Sequence, residues 1–416
     1  MVEISPFLKK ISKEAEADCA PVFSHIEETA EENTIKVLSA FQKEKVSESC
    51  FAGTTGYGYD DLGRETLEKV YCDVFHTEAS LVRLNLVNGT HALSCALYSL
   101  LKPGDTLLSV SGLPYDTLMS TIDVDGNKHG SLGFYGIHFQ SVSLLPDGEF
   151  DYQEIESALS NPSVTAVVIQ RSRGYGVRRA LSVEEIGAAI RFIKDKNPSI
   201  NILVDNCYGE FTETIEPTDV GADLIAGSLI KNPGGGIAPC GGYLAGRKEL
   251  VENAAHHLTT PGIGSECGAT LGNNRLLFQG LFIAPHVVAQ ALKTAVFCAR
   301  IMEKLGISTS PASSNLRSDI IQVIELGTPE RMKAFCKGIQ SGSPVDSYVT
   351  PEPWPMPGYD CNVIMAAGAF IQGSSIELSA DGPIRDPYCI YLQGGITYEA
   401  GKIGILSAVD EMLKDS

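Results

Sequence analysis

The chain has 416 residues, 44% of them hydrophobic, and 32 Lys and Arg against 51 Asp and Glu leave a formal net charge of −19. That length predicts two or three domains with sizeable cores, and the composition excludes disordered, collagen-like and coiled-coil architectures. The acid excess, read without any basic cluster, argues against nucleic acid or an anionic membrane as partner, and eleven cysteines lacking a C-x-x-C pair fit scattered reduced thiols rather than a disulfide framework or structural zinc site.

The N-terminus, MVEISPFLKK, has neither a signal-peptide apolar core nor a transit-peptide composition, and no apolar run is read as reaching the roughly 18–20 residues of a membrane span. A cytoplasmic protein is therefore expected. Ile4, Phe7, Leu8 and Ile11 lie at i, i+3, i+4 and i+7, and Ile35, Leu38 and Phe41 begin a second stripe. Both predict helix, so residues 1–52 are read as a peripheral helical arm over another domain or subunit. A Gly-Thr-Tyr segment from Gly53 to Gly63 breaks the period, and Leu67, Val70, Tyr71, Val74 and Phe75 restore it.

From about residue 80 to 250 the pattern becomes short apolar runs separated by helical stretches. The runs are LVRLNLV, TLLSVSG, VTAVVIQ, NILVDN, DLIAGSLI and GGYLAG. Their Val, Ile and Leu content predicts strands buried on both faces. Alternation with helices such as Val183–Lys194 predicts βαβ units and a mostly parallel sheet in an α/β domain spanning 53–284. Beyond it, a helical stretch from Pro285 to Leu305, a proline-studded loop (PEPWPMPG, Pro351–Gly358) and two strands in VIMAAGAFIQGSSIELSADG predict a smaller α+β domain over 285–416.

Ligands of open α/β sheets gather at the carboxyl ends of strands, so the residues there carry the functional reading. LNLVNGTHALSCALYSLL is a strand, an Asn-Gly-Thr turn and a helix. The free N–H groups at Gly89 and Thr90, with the Thr90 hydroxyl, make an anion site or simply a capped turn. His91 reads more readily as a packed histidine than as an acid–base group. Tyr115, after TLLSVSG, is placed to lie on an aromatic ligand or to pack in its loop. Asp205 ends NILVD, where an unpaired buried carboxylate is costly unless donors or a cation meet it; it either caps the next turn or holds a pyridine nitrogen protonated. Ser228-Leu-Ile-Lys231, followed by Asn-Pro-Gly-Gly-Gly, matches the S-x-x-K nucleophile motif, but the S-D-N and K-T-G partners of that motif are missing. The other reading is a lysine covalently bound to pyridoxal phosphate, with Ser228 on the phosphate.

The order of these features resembles the pyridoxal-phosphate enzymes of the aspartate-aminotransferase fold (fold type I). The segments GYGYDDLGRETLEKVY, VNGTHAL, SGLPYDTL, VDNCYGEF, GSLIKNPGGGIAPCGGY and SADGPIRDPYCIYLQGG are more narrowly similar to the methionine γ-lyase-like, or aluminium-resistance, group of the cystathionine/methionine lyase branch. The resemblance implies a large domain with a seven-stranded sheet and pyridoxal 5′-phosphate covalent to Lys231. It implies a phosphate held by Gly89, Thr90 and Ser228, a ring stacked by Tyr115 and paired with Asp205, and a ring hydroxyl met by Tyr208 or Gln170. Arg385 would grip the substrate carboxylate, since a guanidinium fork matches a carboxylate in two parallel hydrogen bonds. The branch carries a Tyr-x-Arg segment that reaches a neighbouring subunit's phosphate; here the segment is Tyr57-Gly58-Tyr59, with an arginine only at Arg64. Tyr57 or Tyr59 is the candidate acid toward the leaving group. A homodimer or homotetramer with its site at the subunit interface is implied, with Lys231 as base and its pKa lowered by burial and a cationic cofactor. The activity implied is carbon–sulfur bond cleavage of an amino acid such as cystathionine or methionine. Retro-aldol cleavage, transamination and a non-catalytic metal-tolerance role are the alternatives, and no metal-site spacing is present.

Overall fold

The computed structural model describes residues 4–176, 178–356 and 361–414. The chain opens with α1 (Pro6–Lys43), capped by the Ser5 hydroxyl, which accepts the Leu8 N–H, and closed by Glu44. There follow α2 (Leu62–Phe75), β1 (Ala79–Arg83), α3 (Gly89–Leu100), β2 (Thr106–Ser109), α4 (Asp116–Ile122), β3 (His138–Ser141), α5 (Tyr152–Leu159) and β4 (Val164–Gln170). Next come α6 (Val183–Lys196), β5 (Asn201–Asp205), β6 (Leu224–Ser228), β7 (Gly242–Gly246), α7 (Lys248–Leu258) and the long α8 (Asn274–Lys304). The C-terminal part holds β8 (Thr309–Ser310), β9 (Gln322–Glu325), α9 (Pro329–Ser341), β10 (Trp354–Pro355), β11 (Asn362–Ala367), β12 (Ser379–Pro383), β13 (Cys389–Gln393) and α10 (Tyr398–Lys414).

Seven strands form one mixed sheet in the order β1-β7-β6-β5-β4-β2-β3. β2 to β6 run parallel, and β7 is antiparallel to both its neighbours. The central strands are buried throughout, which explains their unbroken apolar runs. Helix starts are as local as their signals: at α6 the Ser182 hydroxyl accepts the Glu185 N–H at 3.2 Å and the Glu185 carboxylate accepts the Ser182 N–H at 2.9 Å. A second sheet, β10-β11-β12-β13-β9-β8, is antiparallel and packs on α9 and α10.

Three expectations are corrected. LVRLNLV pairs only as far as Arg83 and Leu84–Val87 form the turn into α3, while the exposed edge strand β3 has no apolar run to announce it. β11 and β12 do pair, but eleven residues (368–378) separate them rather than a Gly-Ser turn. α8 begins eleven residues before Pro285 and passes a membrane-span test on length and apolarity; 72% of its apolar window is buried in protein, as in a core helix.

α1 is one continuous helix rather than two stripes, and Phe7, Ile35 and Leu38 are exposed while Leu8, Ile11, Cys19, Ile26, Val37 and Ala40 are buried. Leu8, Ile11 and Ala15 join the core under the second sheet, and Cys19 to Ala40 join the core beside the first. Of the proline-studded loop, Pro357 and Gly358 lie outside the described residues.

Candidate active site

Parallel strands that run in one direction deliver their carboxyl ends to one edge of the sheet. At that edge lies a cavity of about 1010 Å³, walled by the ends of β2, β4, β5 and β6, the start of α3, and residues of the second sheet. Gly89, Thr90, Tyr115, Gln170, Asp205, Tyr208, Ser228, Lys231 and Arg385 all line it.

Asn88 caps α3 by accepting the His91 N–H at 2.9 Å, and His91 Nδ1 accepts the Val87 N–H at 3.2 Å, so His91 is engaged locally. The amides of Gly89 and Thr90 occupy the first turn, where a helix N-terminus favours anions. A Cβ at Gly89 would lie 3.2 Å from Ser228 Cβ and 3.4 Å from Cys207 Sγ, so any larger residue would crowd this corner between the two loops. The Thr90 hydroxyl accepts from the Tyr115 hydroxyl at 2.8 Å, and the Tyr115 amide donates to Gln170 Oε1 at 2.9 Å.

Asp205 is buried, and its Oδ1 accepts the Cys207 N–H at 3.1 Å. Burial pushes its carboxyl up, against the pull of the Lys231 ammonium. Lys231 Nζ stands 3.9 Å from the centre of the Tyr208 ring. Tyr208 adopts φ 72°, a strained backbone for a bulky residue, and its hydroxyl lies 3.0 Å from Ser375 Oγ in the segment between β11 and β12. Burial works against the Lys231 ammonium, but Cys207, Tyr208, Asp205 and Tyr115 act the other way and hold it above the ordinary lysine value. The expected lowering joins burial to a cationic cofactor, and of these burial is the part seen here, opposed by the groups around the amine.

These residues fit pyridoxal phosphate: an amide-and-hydroxyl cradle left open by glycine, a buried carboxylate, an aromatic face and a primary amine on one cavity wall. Gln170 is less free than expected, since Oε1 takes the Tyr115 amide and Nε2 donates to Ser172 O at 3.0 Å.

Tyr57, Tyr59 and Arg64 are not brought to this cavity. The tyrosines stack on each other, ring centres 5.4 Å apart, and are 70% and 55% exposed. The Arg64 guanidinium is buried against three carbonyls of its own chain, those of Gly58, Gly268 at 2.9 Å and Glu266 at 3.3 Å.

The sequence reading also missed one wall of the cavity, the loop after β4. Its segment RSRGYGVRR puts four arginines within nine residues at a strand end, a basic cluster in an acidic chain and the signal that was overlooked. Tyr175 on this loop donates its hydroxyl to Asp381 Oδ2 at 2.7 Å, and Tyr391 donates to Tyr175 O at 2.8 Å. Asp381 is buried, which pushes its carboxyl up to about 6.

The model of the family described as methionine gamma-lyase matches residues 8–413. An uncharacterised Bacillus subtilis protein, YnbB, is 52% identical over 98% of this chain and 97% of its own length. A solved structure of a carbon-sulfur lyase involved in aluminum resistance from Clostridium novyi is 53% identical, with a TM-score of 0.94 over 98% of this chain and 96% of that one. Another, from Clostridium acetobutylicum and provisionally named a cystathionine beta-lyase involved in aluminum resistance, is 49% identical with a TM-score of 0.95 over 98% and 96%. At 16% identity and a TM-score of 0.64 over 94% and 97%, the pyridoxal-5′-phosphate-dependent protein YhfS from Escherichia coli shares the fold.

Proposed function

The chain belongs to the methionine gamma-lyase family, and from that premise we propose that it is a pyridoxal-phosphate-dependent carbon–sulfur lyase. Its substrate would be a sulfur-containing amino acid such as cystathionine or methionine, cleaved by β- or γ-elimination to a 2-oxo acid, ammonia and a thiol. The observation that carries this reading is the convergence of Lys231, Asp205, Ser228 and the Gly89–Thr90 turn on one cavity in a chain matched by the family from residue 8 to 413.

In this reading Gly89, Thr90 and Ser228 hold the phosphate, Asp205 pairs with the ring nitrogen, Tyr115 lies on the ring, and Tyr208 or Gln170 meets the ring hydroxyl. The cofactor, when bound, supplies an electron sink for a pair left on the substrate α-carbon. Lys231 would hold it through Nζ, and the same amine is the base placed to take the substrate α-proton. Arg385 orients the substrate by its α-carboxylate.

Tyr57 and Tyr59, exposed and outside their own cavity, act in the site of a neighbouring subunit of a homodimer or homotetramer, while Arg64, spent on carbonyls of its own chain, holds the segment that presents them. One of the tyrosines gives the leaving sulfur its proton. Such an enzyme would work in the cytoplasm, among free amino acids.

The test is a panel of sulfur amino acids offered to the purified holoenzyme, with 2-oxo acid, ammonia and thiol each measured. Equal amounts of all three are expected from at least one substrate. Aldehyde with glycine, stoichiometric amino transfer, or no turnover across the panel would overturn the lyase reading.

A further inference from the structure

Arg173 lines the cavity from the loop after β4, and its side chain is almost completely buried at 2% exposure. Nη1 donates to the carbonyl and hydroxyl oxygens of Ser310 at 3.2 and 3.1 Å. Nε and Nη2, the adjacent pair that makes a carboxylate fork, have no partner. Among the described residues no carboxylate forms an ion pair with this guanidinium. The nearby Asp319 is engaged elsewhere: Oδ2 accepts the Ser172 hydroxyl at 2.8 Å and the Arg173 amide at 3.3 Å, and Oδ1 accepts the Ile321 amide at 3.1 Å.

Two more guanidiniums share that counter-charge. Arg317 is buried, donates to Gln322 Oε1 at 2.6 Å, and leaves Nε and Nη1 unpartnered. Arg178 spends its donors on the carbonyls of Gln170, Ser172 and Arg179. Burial disfavours the charge on all three, and Asp319 is the first opposing influence on each. Three arginines with Asp319 as the leading counter-charge of each, and Asp205 a further one for Arg178, leave an excess of positive charge beside a ligand cavity, and such an excess is costly until an anion meets it. The phosphate corner is a different place, at Gly89, Thr90 and Ser228.

We propose that Arg173 is a second anion receptor in the cavity, taking the distal carboxylate of an amino-acid substrate that carries two, while Arg385 takes the α-carboxylate. The inference rests on the reading that this cavity takes an amino acid. It selects, within that reading, two-headed substrates such as cystathionine over methionine, whose side chain ends in a neutral methyl group.

Calorimetric titration of the holoenzyme with suberate and with heptanoate tests it, because suberate spaces its carboxylates as cystathionine does, the two acids differ by one carboxylate, and neither reacts. Wild-type protein should bind suberate at least about tenfold more tightly than heptanoate. Arg173→Met should abolish that preference and leave heptanoate unchanged, and Arg173→Lys, which keeps the buried charge but not the fork, should retain part of it. With reacting substrates, KM for cystathionine should rise by about tenfold in Arg173→Lys, with kcat and the KM for methionine little changed.

Equal affinity of the wild type for both acids would overturn the proposal, and that measurement needs no variant. So would parallel loss of both acids in Arg173→Lys, or weakened reconstitution of that variant with the cofactor, which would place Arg173 on the phosphate. If suberate binds through Arg173 but no sulfur amino acid is turned over, the lyase reading falls and the receptor stands. Turnover without a suberate preference has the reverse meaning.

Discussion

Glu210 is fully buried three residues beyond Cys207, with Oε1 accepting the Tyr243 hydroxyl at 2.9 Å and Oε2 unpartnered. Burial pushes its carboxyl up to about 8, so the folded protein holds this proton far more tightly than the unfolded chain, where the value is 4.5. The resulting stability is fully present below pH 4.5 and is lost as pH rises through about 8, with a total on the order of a few kcal/mol. Glu210→Gln should remove that loss. Thermal unfolding of both proteins between pH 5 and 9 checks it: the wild-type midpoint should fall relative to the variant, and parallel curves would refute the assignment. Residues of this kind divide by how local their setting is. Asp205 and Ser228 could be read from the sequence because each closes an apolar run, and Lys231 follows three residues later. Tyr175 and Asp381 are 206 positions apart and meet only because the second sheet folds over the first.

At the scale of elements, the strands VTAVVIQ and NILVD coincide with β4 and β5 because burial on both faces leaves an unbroken apolar run and polar residues end it. The α1 stripes failed because a 38-residue helix changes neighbours along its length, turning one face to the second core and another to the first. Where helices cross closely, size decides. Gly338 of α9 lies against α10, and a Cβ there would stand 2.3 Å from Ala408 Cα. Gly338→Ala should therefore destabilise by about 1–3 kcal/mol or more through overpacking, although alanine favours helix. Denaturant unfolding that found the variant as stable as the wild type would show that α10 shifts without cost.

For the whole molecule, the exposed Tyr57–Tyr59 stack and the proposed shared site make a prediction about mixtures. Lys231→Ala should lose turnover and its visible cofactor absorption, and the double variant Tyr57→Phe/Tyr59→Phe should lose most turnover. If subunits exchange in a dimer, dissociating and reassembling the two inactive proteins in equal amounts should restore about a quarter of wild-type activity, since half the dimers are mixed and each has one intact site. No recovery on demonstrated subunit exchange would confine the site to one chain. The charge of −19 is that of the chain as a whole. The cavity departs from it, with Lys231, Arg173, Arg178, Arg179 and Arg385 on its walls.

The sequence by itself determined most strands of the large sheet and which strand ends meet at the cavity, because burial writes an apolar run and its polar stop directly into neighbouring residues. Only the tertiary structure decided that Arg173 lies buried with its fork unmet, that Tyr175 is held by Asp381, and that Tyr57, Tyr59 and Arg64 stay outside their own cavity. Those outcomes depend on contacts between segments tens to hundreds of residues apart, and no local pattern records which way a loop side chain turns when a second sheet packs beside it.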